Sequence, residues 1–162
     1  MTAKQLGELK VSDCMTEQAI VIDESAKLTD AVRIMEAESL SLLPVVRNQT
    51  ELVGVLSTSD LLTITREIQA DLSTLDAVNE RTREFLITML VDQGDTTLVK
   101  DVMTEPAVSV REGVNLVVAA RMLIEHQCHH LPVVDEEGTP IGVLATSDFV
   151  RAFAEFGATL AG

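Results

Sequence analysis

Apolar and polar positions run along this chain in two alternating rhythms, and the rhythms change in the same order twice. After Met15-Thr16-Glu17, the run Ala19-Ile20-Val21-Ile22 reads as a short strand, and its partner Ala107-Val108-Ser109-Val110 alternates with a period of two. Asp23, Glu24 and Ser25 then supply helix-start chemistry. Leu28, Ala31, Val32 and Met35 follow at i, i+3, i+4 and i+7, the spacing that lays one apolar stripe along a helix. Leu116, Ala119, Ala120 and Leu123 repeat that stripe. Next, Leu43-Pro44-Val45-Val46 and Leu131-Pro132-Val133-Val134 are β-rich runs. Polar turns at Arg47–Thr50 and Asp135–Thr139 lead from them to second apolar runs at Leu52–Leu56 and Ile141–Leu144. Each pair predicts a hairpin, and each copy reads as strand, helix, strand, strand, helix.

The recurrence is literal. Residues 11–62 and 99–150 align without a gap at an offset of 88, and 20 of the 52 paired positions are identical. V-x-D-x-M-T-E-x-A at 11–19 returns at 99–107, and G-V-L-x-T-S-D at 54–60 returns at 142–148. A long period copied once points to two similar units packed on one another, because a solenoid normally needs three or more repeats to bury its core. The predicted organisation is an N-terminal segment 1–10, unit 11–62, a helical linker 63–98, unit 99–150 and a C-terminal helix or tail 151–162. Between Val55 and Gln93 there is no Gly or Pro, and apolar residues from Leu61 to Met89 keep an approximately helical beat. An unbroken helix there would run about 50 Å at 1.5 Å per residue. Alternatively, Ser73-Thr74-Leu75-Asp76 caps a second helix after a kink. Either form has an apolar stripe to cover, on its own module or on a symmetry mate.

Composition narrows the partners. With 26 acidic and 12 basic residues the net charge is −14, which argues against nucleic acid, whose phosphates need clustered Lys and Arg. The chain has no Trp or Tyr and four Phe, so a base-stacking platform is absent. No apolar run approaches the roughly 20 residues of a membrane span, and the N-terminus has no signal-like apolar core. A soluble, cytoplasmic protein is expected. Cys14 and Cys128 occupy non-equivalent repeat positions, each opposite an aliphatic residue (Val102 and Leu40), which reads as buried small hydrophobes rather than a disulfide or metal pair.

The chemistry concentrates in G-V-L-S-T-S-D. A strand ends at Ser57 and a helix begins about Ser59, so Ser57, Thr58 and Asp60 gather where the first turn of a helix leaves its amides unpaired and its dipole positive. An anion can dock at such a place, and an ionised Asp60 accepts the two hydrogen bonds of a cis-diol such as ribose. The same residues are also ordinary helix-capping composition. Recurrence of the whole string, with Thr146 and Asp148 in the second copy, favours the functional reading.

With M-T near each opening, the L-P-V-V runs and the Gly-hydrophobic-hydrophobic-Ser/Thr-x-x-Asp strings, the chain resembles a tandem pair of cystathionine-β-synthase (CBS) domains, a Bateman module. The resemblance covers about 104 residues. It implies an α/β (α+β) fold of two βαββα units related by pseudo-two-fold symmetry, with clefts for adenosine-type ligands (AMP, ADP, ATP or S-adenosylmethionine), and in many members a dimer. Carried over by position, Asp60 and Asp148 accept from ribose hydroxyls and Ser57 donates to a phosphate. Ala19, Ile20, Ala107 and Val108 line adenine. Ser57 corresponds to Ala145 in the second copy, which makes the Asp60 site the better phosphate site and Asp148 the less critical carboxylate. His129 and His130 stand where Ser41 and Leu42 stand in the first copy, a place where the family often carries phosphate-facing basic residues. There they would make binding pH-sensitive.

His126, Cys128, His129 and His130 do not match structural zinc spacings, and no metal is expected. Arg33 and Arg121 recur as structural, solvated or ion-paired residues. The chain has no phosphate loop, nucleophile elbow or H-E-x-x-H, so no enzyme is expected. The expectation is a stand-alone regulatory CBS pair that binds an adenosyl small molecule, forms a homodimer and acts on an unidentified protein partner. The alternative is a dimeric scaffold without ligand.

Overall fold

The computed structural model describes residues 8–68 and 96–160. In chain order the elements are β1 (Thr16–Glu17), β2 (Ile22–Asp23), α1 (Leu28–Ala37), β3 (Leu42–Arg47), β4 (Glu51–Ser57), α2 (Thr58–Ile68), β5 (Val110–Arg111), α3 (Leu116–Glu125), β6 (His130–Val134), β7 (Pro140–Ala145) and α4 (Thr146–Leu160). They belong to two compact units, a central one spanning Val21–Ala107 and a terminal one made of Met1–Ile20 with Val108–Gly162. The mixed α+β architecture follows the predicted order of elements. The spatial units, however, are cut differently from the sequence repeats.

The central unit holds a three-stranded sheet of order β2-β3-β4, with β2 parallel and β4 antiparallel to β3. The hairpin turn passes through Asn48 (φ 52°) and Gln49 (φ 70°), the left-handed pair that suits a tight connection. The predicted stripe of α1 is buried at Leu28, Ala31, Val32 and Met35 and packs with Ile22, Leu43, Val45, Leu56 and Leu61. Each such side chain withdrawn from water contributes about 1.5–3 kcal/mol. The terminal unit repeats this plan. Its four-stranded sheet has the order β1-β7-β6-β5, and Leu116, Ala119 and Leu123 of α3 pack with Val110, Leu131, Val133 and Leu144. Its hairpin turn is closed by Asp135, whose carboxylate accepts from the Glu137 and Thr139 amides, and by Gly138 at φ 87°.

Two local expectations shift. The first strand of each copy starts later than the apolar run, at Ile22 and Val110. In the first copy Gln18 turns left-handed (φ 61°), and the Gln18 and Ala19 amides both donate to the Ile141 carbonyl, which takes Ala19 out of an extended ladder. Asp23 does not cap α1. Its carboxylate instead accepts from the amide and hydroxyl of Ser25, a local turn ahead of the helix. In the second copy Asn115 is a true N-cap, accepting from the Val117 amide at 2.8 Å.

The opening V-x-D-x-M-T segments explain the difference between repeats and units, because each belongs to the unit built from the other repeat's strands. Val99 is fully buried in the central core, its amide donating to the Ala26 carbonyl at 2.9 Å. Val11 is fully buried in the terminal core, its amide donating to the Val114 carbonyl at 2.9 Å. Asp13 and Asp101 close the short 3-10 turns that follow, accepting from the Lys10 and Leu98 amides. Thr16-Glu17 then pairs with Val143-Gly142, while Thr104 exchanges both backbone hydrogen bonds with Val55. Of the predicted helical linker 63–98, α2 through Ile68 and the residues from Thr96 are described. The long-helix expectation over 69–95 lies outside the described residues.

Candidate functional site

In both units the hairpin's second strand runs into a helix without an intervening loop, β4 into α2 and β7 into α4. The first helical amide is anchored to the residue before the hairpin's first strand: Thr58 N–H donates to the Ser41 carbonyl at 3.1 Å and Thr146 N–H to the His129 carbonyl at 3.0 Å. The hydroxyl and carboxylate residues of the T-S-D string are thereby held on the first turn of a helix, where the dipole favours negative charge.

Around Asp60 the local network is dense. Its Oδ2 accepts from the Ser57 amide at 2.7 Å and from the Ser57 hydroxyl at 2.6 Å, and its Oδ1 accepts from the Thr104 hydroxyl at 2.8 Å. The Ser57 oxygen also accepts from the Asp60 amide at 3.3 Å. Ser57 thus spends its single proton on Asp60, and its hydroxyl closes the helix end. Ser57, Thr58 and Asp60 are half-buried.

Asp148 sits differently. Only 3 % of it is exposed, its Oδ2 accepts from the Ala145 amide at 2.7 Å, and its Oδ1 faces Arg151 Nη1 at 3.3 Å. With Ala145 in place of Ser57 there is no hydroxyl to tie the carboxylate or cap the Asp148 amide. The Thr146 and Ser147 side chains are exposed. His130 on β6 is paired with Ala145, directly beside this turn. Burial holds its imidazole below the ordinary histidine value, His129 pushes the same way, and the Asp148 carboxylate opposes them. Arg151, one turn into α4, corresponds to Thr63 of α2, so three basic side chains stand at the second turn where the first has none at equivalent positions.

The remaining expected site residues divide between the units. Ala19, Ile20, Val108, His129, His130, Thr146 and Asp148 belong to the terminal unit, and Ser57, Thr58, Asp60 and Ala107 to the central one. Ile20 is 38 % exposed, and Ala19, Ala107 and Val108 are half-buried. His126 and His129 are exposed, and among the described residues no group of three or more His, Cys, Asp or Glu could hold a metal ion. No described helix is long and apolar enough to cross a membrane. Sequence reading missed Thr104 and Arg151. The first carried a signal, since M-T recurs in both copies, but its position 44 residues from Asp60 gave no hint of contact.

The comparisons with known proteins agree with this geometry. The family model for the CBS domain matches residues 11–67 and again 99–155. The chloroplastic CBS domain-containing protein CBSX2 of Arabidopsis thaliana is 34 % identical over 152 residues, which are 90 % of this chain and 64 % of that protein, so the chain spans a little under two thirds of that relative's length. The crystal structure of CBSX2 in complex with AMP superposes with a TM-score of 0.69 at 31 % identity, covering 91 % of this chain and 98 % of that one. The CBS domain pair of protein MJ0100, solved with 5'-methylthioadenosine and S-adenosyl-L-methionine, shares the fold with a TM-score of 0.65 at 18 % identity, covering 90 % and 99 %. Two matched domain models, the duplicated hairpin-to-helix turns and the shared fold place this chain in the CBS-domain family, as a tandem CBS pair.

Proposed function

We propose that this CBS pair is a regulatory module that binds an adenosine-type ligand, with Asp60 and Asp148 as acceptors for the ribose hydroxyls. The observation that carries the reading is the recurrence of a carboxylate fixed on the first turn of a helix in a chain 31 % identical to CBSX2, whose structure holds AMP. Anionic ligands favour the terminal unit's turn. In a chain of net charge −14 a phosphate needs local donors; Arg151 lies against Asp148, His130 sits beside the turn and His129 is tied to it through its carbonyl, while Ser57 is already committed to Asp60. This reverses the order expected from Ala145 alone. Ala19, Ile20 and Val108 supply apolar surface for adenine in the terminal unit, and Ala107 does so in the central one.

Occupancy acts by population shift, as the ligand favours the arrangement it binds best and a partner reads that arrangement. Val117, Val118, Ile124, Val150 and Phe153 are exposed on α3 and α4, and support self-association as a homodimer or docking to a separate protein. The two free cysteines suit a reducing, cytoplasmic setting.

The test is isothermal titration and thermal shift with AMP, adenosine and S-adenosylmethionine, with light scattering for the oligomer. A ligand at 100 times its dissociation constant stabilises by about 2.7 kcal/mol. AMP is expected to raise the melting temperature of the wild type, and Asp148→Ala to weaken AMP more than Asp60→Ala does. A folded dimer that ignores all three compounds would establish the scaffold reading instead.

A further inference from the structure

Asp60 offers about four lone-pair positions, and three are occupied from within the central unit by the Ser57 amide, the Ser57 hydroxyl and the Thr104 hydroxyl. A vicinal diol brings two donors and needs two positions, so one resident donor must leave. The Ser57 amide is part of the β4 backbone, and the Ser57 hydroxyl is held at both ends because it also accepts from the Asp60 amide. Thr104 is the one that can go. The residue is exposed, and its backbone stays paired with Val55 in both directions whichever way its side chain points. One rotation about χ1 turns its hydroxyl to water.

We propose that Thr104 is a built-in competitor for the diol at Asp60, a residue that sets the affinity of that site by occupying the ribose position when no ligand is bound. The proposal rests on the reading of Asp60 as a diol acceptor. It is confined to the central unit. In the terminal unit, where Thr16 corresponds, the second oxygen of Asp148 faces Arg151 Nη1 at 3.3 Å instead. The competing hydroxyl comes from the second repeat's opening segment, and its backbone lies across Gly54, where the Thr104 carbonyl stands 2.9 Å from the place a Cβ would take. Ligand at Asp60 therefore frees a side chain in the stretch that ends at Ala107, where the central unit gives way to the terminal one.

Thr104→Val removes the hydroxyl at constant shape and keeps the strand pairing. Titrated with adenosine, which has the diol and no phosphate, Thr104→Val is expected to bind about three- to tenfold more tightly than wild type, the size of one hydrogen bond that no longer has to be broken. Thr16→Val is expected to match wild type, and the gain is expected to vanish in Asp60→Ala/Thr104→Val. If wild type binds adenosine and Thr104→Val binds equally or more weakly, the competitor role is overturned and the ligand reading stands. If adenosine binds to Thr104→Val alone, the competitor role is established in its strongest form. If neither protein binds adenosine or AMP, both readings fall.

Discussion

Gly142→Ala tests the exchange of opening segments more directly than any other change. A Cβ at Gly142 would lie 2.6 Å from the Thr16 carbonyl oxygen and 3.0 Å from Met15 Sδ, against 3.4–4 Å for ordinary contact. The Met15 tail can swing away, but the Thr16 carbonyl belongs to β1, which is registered on Val143 and Gly142. Relief therefore means pushing β1 off the edge of β7. Overpacking of this kind costs about 1–3 kcal/mol, and the lower backbone entropy of the unfolded alanine chain returns roughly 0.4–1 kcal/mol. A net loss of about 2 kcal/mol lowers the melting temperature of a protein this size by about 4–8 °C. Gly54→Ala meets the flexible Met103 Sδ first, at 2.7 Å, and the Thr104 carbonyl at 2.9 Å, so its loss is smaller, about 1 kcal/mol. Gly113→Ala meets nothing within 4 Å and serves as the control. The assay is thermal unfolding by circular dichroism, with amide exchange at Thr16 and Glu17 as a local readout. The expected order of loss is Gly142, then Gly54, with Gly113 neutral or slightly stabilising. Gly142→Ala melting with Gly113→Ala would refute the placement of the M-T segment over β7.

Two further outcomes follow from burial. His130 has a folded-state value held below its ordinary one by desolvation, so near pH 6.5 the unfolded chain takes up a proton that the folded protein refuses. Stability from this group is fully present above the unfolded value and is lost as pH falls through it, levelling off below the depressed folded value. Melting temperature measured from pH 8 to pH 5 should fall less steeply in His130→Gln than in wild type, and parallel curves would remove His130 as the cause. Burial is also the largest cause that pushes the thiols of Cys14 and Cys128 upward, joined at Cys14 by Asp13, Asp148 and Glu155. Both are therefore expected to react with iodoacetamide at pH 7.5 more slowly than the same thiols in guanidinium, and equal rates would contradict their burial.

Most of the local structure was legible from periodicity. The stripes of α1 and α3 and the two hairpins lie where the 3.6- and 2-residue rhythms put them, because those rhythms are what a one-sided core requires. The strand-to-helix turns were readable for the same reason: Ser, Thr and Asp at a junction satisfy free amides locally. What stayed hidden was which donor each carboxylate takes. The Ser57 hydroxyl donates to Asp60, a choice between neighbouring acceptors that only the folded geometry makes. Thr104 and Arg151 take equivalent oxygens of two equivalent carboxylates, one from 44 residues away and one from the next turn of its own helix.

By itself the sequence determined that there are two copies, what elements each contains, and which family they belong to, since these rest on repeated residues and short-range periodicity. Tertiary structure alone decided that each V-x-D-x-M-T segment completes the core of the other repeat's unit, because a buried valine and an edge strand satisfy any complementary partner and the local pattern does not say which. The paired glycines at 54 and 142 record that choice: they are small because another backbone passes over them.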